Sequence, residues 1–507
     1  MDIKKIKTIG DLRKAGYHHR SVKQEIRENL IRKLQNKENT FPGIIGYEDS
    51  VIPDTERAIL SRHNILFLGL RGQAKTRMAR QMIELMDEYI PFISGSEIND
   101  DPLKPISKFA KDLVAEKGDD TPVSWLHRSE RYGEKLATPD VSVADLIGDI
   151  DPIKAANLRL NFADERVIHF GIIPKSNRGI FVINEIPDLQ ARIQVSLFNI
   201  LEEGDIQIRG FKLRMPLDIL FIFTANPEDY TNRGSIVTPL KDRIESQILT
   251  HYPKSIETAL AITEQEADVL DEQKVKVKVS DLVKRLIEQV AFEARSSEFV
   301  DKKSGVSARL TIAAFENSVS AAERRAILNK EKETQVWMSD LVGIVPSITG
   351  KIELVYEGEQ EGPYQVAFNL LEKAFRTQFV HYFPNPEQLK KRKAGEPKEE
   401  NPFRPITSWF DKGNQLNLFF NTKDEDKIHQ LYQVDGLHGL IKKYFKHANE
   451  KESALLMEFV LHGLASYSLI SKKIVEGKIE FKDLIGSMVN LGSGTYSTDE
   501  DLGDDFR

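Results

Sequence analysis

The chain has 507 residues, of which 40% are hydrophobic and 29% charged; its net charge is -7 and it contains no cysteine. That length exceeds one ordinary core, so about two to four domains are expected, in a globular protein read as cytoplasmic. Disulfides, thiolate catalysis and thiolate metal sites are excluded, no apolar run reaches the roughly 20 residues that span a bilayer, and the acidic balance argues against a dedicated nucleic-acid binder.

Residues 1–40 are predicted to be an N-terminal helical segment. The opening MDIKKIKTIGDLRKAGYHH is basic but lacks an apolar core and a cleavage site, so no signal peptide is expected. Ser21-Val22-Lys23-Gln24 has the spacing of a capping box, and Ile26, Leu30 and Leu34 follow as an apolar stripe, as in a helix packed on the next domain. From 43 to 250, short apolar runs alternate with helical stretches. Asn64 to Leu68, Ile90 to Ser94, Gly179 to Ile183 and Ile219 to Thr224 read as strands of a parallel sheet covered on both faces. Residues 253–345 carry helical patterns, Ser280 to Ala294 and Thr311 to Leu328, and no such strands, which predicts a separate bundle. Gln365 to Phe383 reads as a helix and 384–405 as a loop or linker. Residues 406–490 read as mostly helical, and 491–507 as an acidic, disordered tail.

One turn carries the chemistry. Gly69-Leu70-Arg71-Gly72-Gln73-Ala74-Lys75-Thr76 follows an apolar strand and opens a helix. Glycines there let backbone N–H groups face phosphates, Lys75 is placed to reach the β- and γ-phosphates of ATP, and Thr76 to hold Mg²⁺. Ala74 stands where the last glycine is usual; a residue entering a helix can take negative φ, which makes alanine tolerable. The strand Ile180 to Ile183 delivers Asn184 and Glu185 at its C-terminal end, where sheet ligands bind. Glu185 is expected as general base, and Asn184, in the usual aspartate position, to orient a metal-bound water without adding charge. Asn226 follows a third strand and is placed to position the lytic water. Arg243 follows in Pro239 to Ile244, a candidate to stabilise γ-phosphate charge across a subunit boundary.

In this order the elements resemble the AAA+ superfamily, and within it the branch of MoxR-type ATPases and the ATPase subunit of magnesium chelatase. Phe41-Pro42-Gly43-Ile44-Ile45-Gly46 resembles the segment that cups adenine, which assigns Ile45 to the nucleotide. Thr224 to Ile244 resembles the run from sensor 1 to the arginine finger. Gly305-Val306-Ser307-Ala308-Arg309 resembles sensor 2, with Arg309 on the phosphates. Asp145 to Asp149 and His169 to Ile173 look like arms of the helix-2 insert, and Gly204 to Arg214 like the pre-sensor-1 hairpin.

The resemblance implies an α/β P-loop core (41–252), an α-helical lid (253–345) and a mainly helical C-terminal region of unknown role (346–490). It further implies a homo-oligomeric, hexameric ring that hydrolyses ATP, with Arg243 completing a neighbour's site. The partner it implies carries a von Willebrand factor A domain, and the work is chaperoning or metal insertion. Other readings are a nucleotide-gated scaffold with little turnover, favoured by Asn184, and a sigma-54-type activator, against which no GAFTGA-like loop occurs between Lys75 and Asn184. A DNA translocase has only Arg209, Lys212 and Arg214 in its favour.

Overall fold

A computed structural model describes residues 3–161, 164–208, 214–227, 235–390, 401–475 and 477–484. They form two compact units, divided between Pro253 and Lys254.

The first unit is built on a five-stranded parallel sheet. Its strands are β1 (Ile65–Leu68), β2 (Tyr132–Leu136), β3 (Gly179–Asn184), β4 (Ile219–Ala225) and β5 (Ser246–Leu249), in the order β5-β1-β4-β3-β2. Ile65 lies opposite Ile222 on one side and Ser246 on the other; Ile219 lies opposite Gly179, and Leu136 opposite Asn184. Successive side chains leave a strand on opposite faces. Leu66, Phe181 and Phe223 therefore enter one core, with Leu146, Ile193 and Leu240. Phe67, Val182 and Ile222 enter another, with Ile26, Leu30 and Met78. Burial on both faces is why β1, β3 and β4 are unbroken apolar runs.

The expected fourth strand is a correction. Tyr89–Ile93 pairs antiparallel with Val123–His127 in a separate two-stranded sheet. Its place in the main sheet is taken by β2, with β5 closing the other edge. Edge strands tolerate charge and polarity, so YGEKL and SQIL show no apolar run.

Helix α1 (Val22–Gln35) begins with half of the expected capping box. Ser21 Oγ accepts from the Gln24 N–H at 3.3 Å, while the Gln24 side chain turns to Glu28 at 2.8 Å. Ile26 and Leu30 are buried, but Leu34 is 39% exposed, so the stripe stops a turn early. A buried ion pair fixes this helix to the edge of the sheet: Arg131, just before β2, donates to both carboxylate oxygens of Glu25 at 2.8 and 2.6 Å. Helix α2 (Lys75–Gln81) follows β1. Gly148–Ile150 pairs antiparallel with Ile168–Phe170, and Asp205–Gln207 with Arg214–Pro216 in the segment expected as a hairpin. Arg209 and Lys212 lie outside the described residues.

The second unit contains α3 (Asp281–Ser296), α4 (Arg309–Asn329), α5 (Pro363–Tyr382) and α6 (Glu450–Ser466). Helices from both sides of residue 345 share one core, in which Leu286 and Ala314 belong with Phe375 and Phe459. Buried charges cross the same point: Arg325 on α4 reaches Asp424 at 2.6 Å, and Lys427 donates to Ser339 at 2.5 Å beneath Glu458. The described residues of 406–490 are less helical than expected. Leu416–Phe419, Ser471–Val475 and Lys478–Lys482 form a three-stranded antiparallel sheet. Ile479 and Phe481, buried between Lys478, Glu480 and Lys482, carry its period of two. Within 253–345, where no strand is expected, Val277–Lys278 and Thr334–Gln335 make a two-residue parallel pair.

Candidate functional site

The loop between β1 and α2 is shaped by two packing constraints. A Cβ on Gly69 would run into Thr250 Oγ1 and Gln73 Oε1, which hydrogen-bond to each other at 2.6 Å. Gly72 has φ 72°. Ala74 corrects the sequence reading: its φ is 55° and ψ 16°, left-handed rather than negative. That conformation costs an alanine about 1–2 kcal/mol. Left-handed residues at Gly72 and Ala74 curl the loop into the form that gathers backbone N–H groups about an anion. Tyr47 pins the loop from outside, its hydroxyl 2.9 Å from the carbonyl oxygens of both Gln73 and His251, which share its one proton. It directly follows the Phe41–Gly46 segment, so half-buried Ile45 sits next to an anchor on the phosphate loop. Tyr252 OH donates to the Arg71 carbonyl at 2.9 Å.

Lys75, Thr76, Asn184 and Asn226 come together where the C-terminal ends of β1, β3 and β4 lie side by side. Lys75 Nζ donates to the Leu70 carbonyl at 2.9 Å, to Asn226 Oδ1 at 2.7 Å and to the Gly69 carbonyl. Thr76 Oγ1 donates to Asn184 Oδ1 at 3.3 Å, and Thr224 Oγ1 donates to the same oxygen at 3.0 Å. Glu185 follows with φ 55° and ψ 48°, and its N–H donates to Thr224 Oγ1 at 3.1 Å. A glutamate held left-handed at a strand end is strain of the kind functional sites retain.

Two other expected residues have other surroundings. Arg243 caps the helix Thr238–Asp242; it donates to Glu202 at 2.7 and 2.5 Å and lies over the Phe198 ring at 4.9 Å. Arg309 is exposed on the first turn of α4, in the second unit.

Sequence reasoning missed Glu134. It lies on β2, and Asn184 Nδ2 donates to its Oε1 at 2.7 Å. Arg80, on α2, grips the same carboxylate with donors at 2.9 and 3.0 Å. Burial works to raise the Glu134 carboxyl, but bonds from Arg80, Tyr132 and Asn184 outweigh it and hold the group below its ordinary range, ionised. The polar edge strand YGEKL carries no motif that would have singled it out.

Thr76 Oγ1 and Asn184 Oδ1, 3.3 Å apart, are oxygens of the kind a hard cation such as Mg²⁺ would take. Among the described residues no cluster of three or more His, Asp or Glu forms a self-sufficient metal site. Among the same residues no helix is long and apolar enough to cross a membrane.

Residues 161–248, which include β3, β4 and most of β5, match the model of the Sigma-54 interaction domain. The magnesium-chelatase 38 kDa subunit of Cereibacter sphaeroides is 23% identical over 201 residues, 39% of this chain and 54% of that subunit. The chain thus spans about half the length of the curated relative it matches. A cryo-EM-based model of the complex between subunits BchI and BchD of magnesium chelatase overlaps with TM-score 0.32 at 17% identity, over 63% of this chain and 98% of that one. NtrX from Brucella abortus in complex with ATP overlaps with TM-score 0.34 at 13% identity, over 70% of this chain and 67% of that one.

Proposed function

We propose, from the premise that this chain is an AAA+ ATPase related to the magnesium-chelatase subunit, that it binds and hydrolyses Mg-ATP as a subunit of a homo-oligomeric ring that remodels or loads a partner protein. The observation that carries the reading is the meeting of Lys75, Thr76, Asn184 and Asn226 at the ends of three adjacent strands, below a loop curled by Gly72 and Ala74. Lys75 leaves the loop carbonyls for the triphosphate, and Ile45 lies against adenine. Asn226 and Glu185 orient water toward the γ-phosphate, Glu185 accepting its proton. Thr76 and Asn184 would hold Mg²⁺, which would supply positive charge against the phosphates. Arg243 swings from Glu202 to a neighbour's nucleotide. A hexamer, a cytoplasmic setting, a partner with a von Willebrand factor A domain, and chaperone or metal-insertion work extend the same resemblance.

Binding and turnover separate this reading from a scaffold. A fluorescent ATP analogue is expected to bind in a Mg²⁺-dependent manner to the native chain and to Glu185→Gln, but not to Lys75→Ala. Phosphate release is expected from the native chain and to fall at least a hundredfold in Glu185→Gln. Equal, negligible release from both would favour the nucleotide-gated scaffold. Absence of Mg²⁺-dependent binding to the native chain would sink the nucleotide reading itself.

A further inference from the structure

The end of β3 lacks the carboxylate that would face the metal, and the structure places one on the strand beside it. Asn184 lies opposite Leu136 in the β2–β3 ladder, so Glu134 is its diagonal neighbour on the same face, a distance that long side chains bridge. Asn184 Nδ2 donates to Glu134 Oε1 at 2.7 Å. An ionised carboxylate only accepts hydrogen bonds, so this contact dictates which way the Asn184 amide is turned: nitrogen toward Glu134, oxygen toward Thr76 and Thr224. Oδ1 then accepts from Thr76 Oγ1 at 3.3 Å and from Thr224 Oγ1 at 3.0 Å. With its proton committed to Asn184, the Thr76 hydroxyl keeps its lone pairs for a cation. Arg80 offsets part of the negative charge, but its side chain is 62% exposed and shares its own charge with solvent, whereas that of Glu134 is 22% exposed.

We infer that Glu134 is a positioning residue for the metal side of the nucleotide site, supplying from β2, through the Asn184 amide, the negative charge and the orientation that an aspartate at position 184 would supply directly. This rests on the Mg-ATP reading above. It turns Asn184 from a defect into half of a pair, with the acid moved one strand over. It also predicts coupling between the two positions. Asn184→Asp alone would set two carboxylates in hydrogen-bond contact, where like charges cannot both stay ionised.

The test is the Mg²⁺ concentration giving half-maximal binding of the fluorescent ATP analogue, a binding readout that needs no turnover. Thermal unfolding of each variant is followed alongside to confirm folding. In Glu134→Gln that concentration is expected to rise about tenfold, since a neutral amide neither supplies charge nor dictates the turn of Asn184. Glu134→Asp, which retains the charge on a shorter arm, is expected to raise it less and serves if the glutamine variant folds poorly. Asn184→Asp alone is expected to bring no improvement. The exchanged pair, Glu134→Gln with Asn184→Asp, is expected to return to within about threefold of the native value, because an amide facing a carboxylate is restored in reverse. A purely structural Glu134 would not be rescued by the exchange. The inference is overturned if Glu134→Gln binds Mg²⁺ within twofold of native, or if the exchanged pair is no better than Glu134→Gln. Native protein without any Mg²⁺-dependent binding would instead overturn the Mg-ATP reading, and this with it.

Discussion

Glu288 on α3 is 2% exposed, and its Oε1 accepts from Thr263 Oγ1 at 2.6 Å, which in turn lies 2.9 Å from Thr311 Oγ1. Burial raises its carboxyl from an ordinary 4.5 to about 7, against the smaller opposing effects of the Thr263 bond and of Arg295. Between pH 4.5 and about 7 the folded chain therefore holds a proton that the unfolded chain releases. Folding stability declines with rising pH across that window and levels off above it. At about 1.4 kcal/mol per pH unit, the ionised side chain costs on the order of 3 kcal/mol above pH 7. Glu288→Gln retains the shape and an oxygen for Thr263 but cannot ionise. It is expected to match native stability near pH 4 and to exceed it by about 3 kcal/mol at pH 8. Urea unfolding of the full chain in a Trp125→Phe background reads the second unit alone, since the other two of the three tryptophans, Trp337 and Trp409, both belong to it. A stability difference between Glu288→Gln and the chain that keeps Glu288 that stays constant from pH 5 to 8 would refute the raised carboxyl.

Arg131→Met strands the Glu25 carboxylate, 3% exposed, without its partner and is expected to cost the first unit about 3–5 kcal/mol in denaturant unfolding; adding Glu25→Leu should recover most of it. Gly179→Ala would drive a Cβ against the backbone carbonyl of Arg131, and backbone cannot yield as a side chain can. Its cost should reach at least the upper end of about 1–3 kcal/mol, seen as a fall in melting temperature. Arg243→Ala is expected to leave nucleotide affinity unchanged at low protein concentration while lowering phosphate release about a thousandfold or more where subunits assemble. Equal release from native and variant at every concentration would remove Arg243 from the shared site.

What could be read along the chain was whatever depends on neighbours in sequence. The phosphate loop is eight consecutive residues whose glycines and Lys-Thr pair act locally. β1, β3 and β4 are buried on both faces, so burial itself writes an apolar run, and the polar residues that end them, Asn184, Glu185 and Asn226, stand next to that run. Long helices such as α3 and α5 showed through their spacing. Tertiary structure alone decided the rest. The partners of Asn184 come from α2, β2 and β4, across separations of 108, 50 and 40 residues, so no local pattern could join Glu134 to the site. Edge strands β2 and β5 have a solvent-facing side and therefore no apolar signature. The left-handed turn at Ala74 is imposed by the closure of a loop held by Thr250 and Tyr47, residues that only folding brings to it.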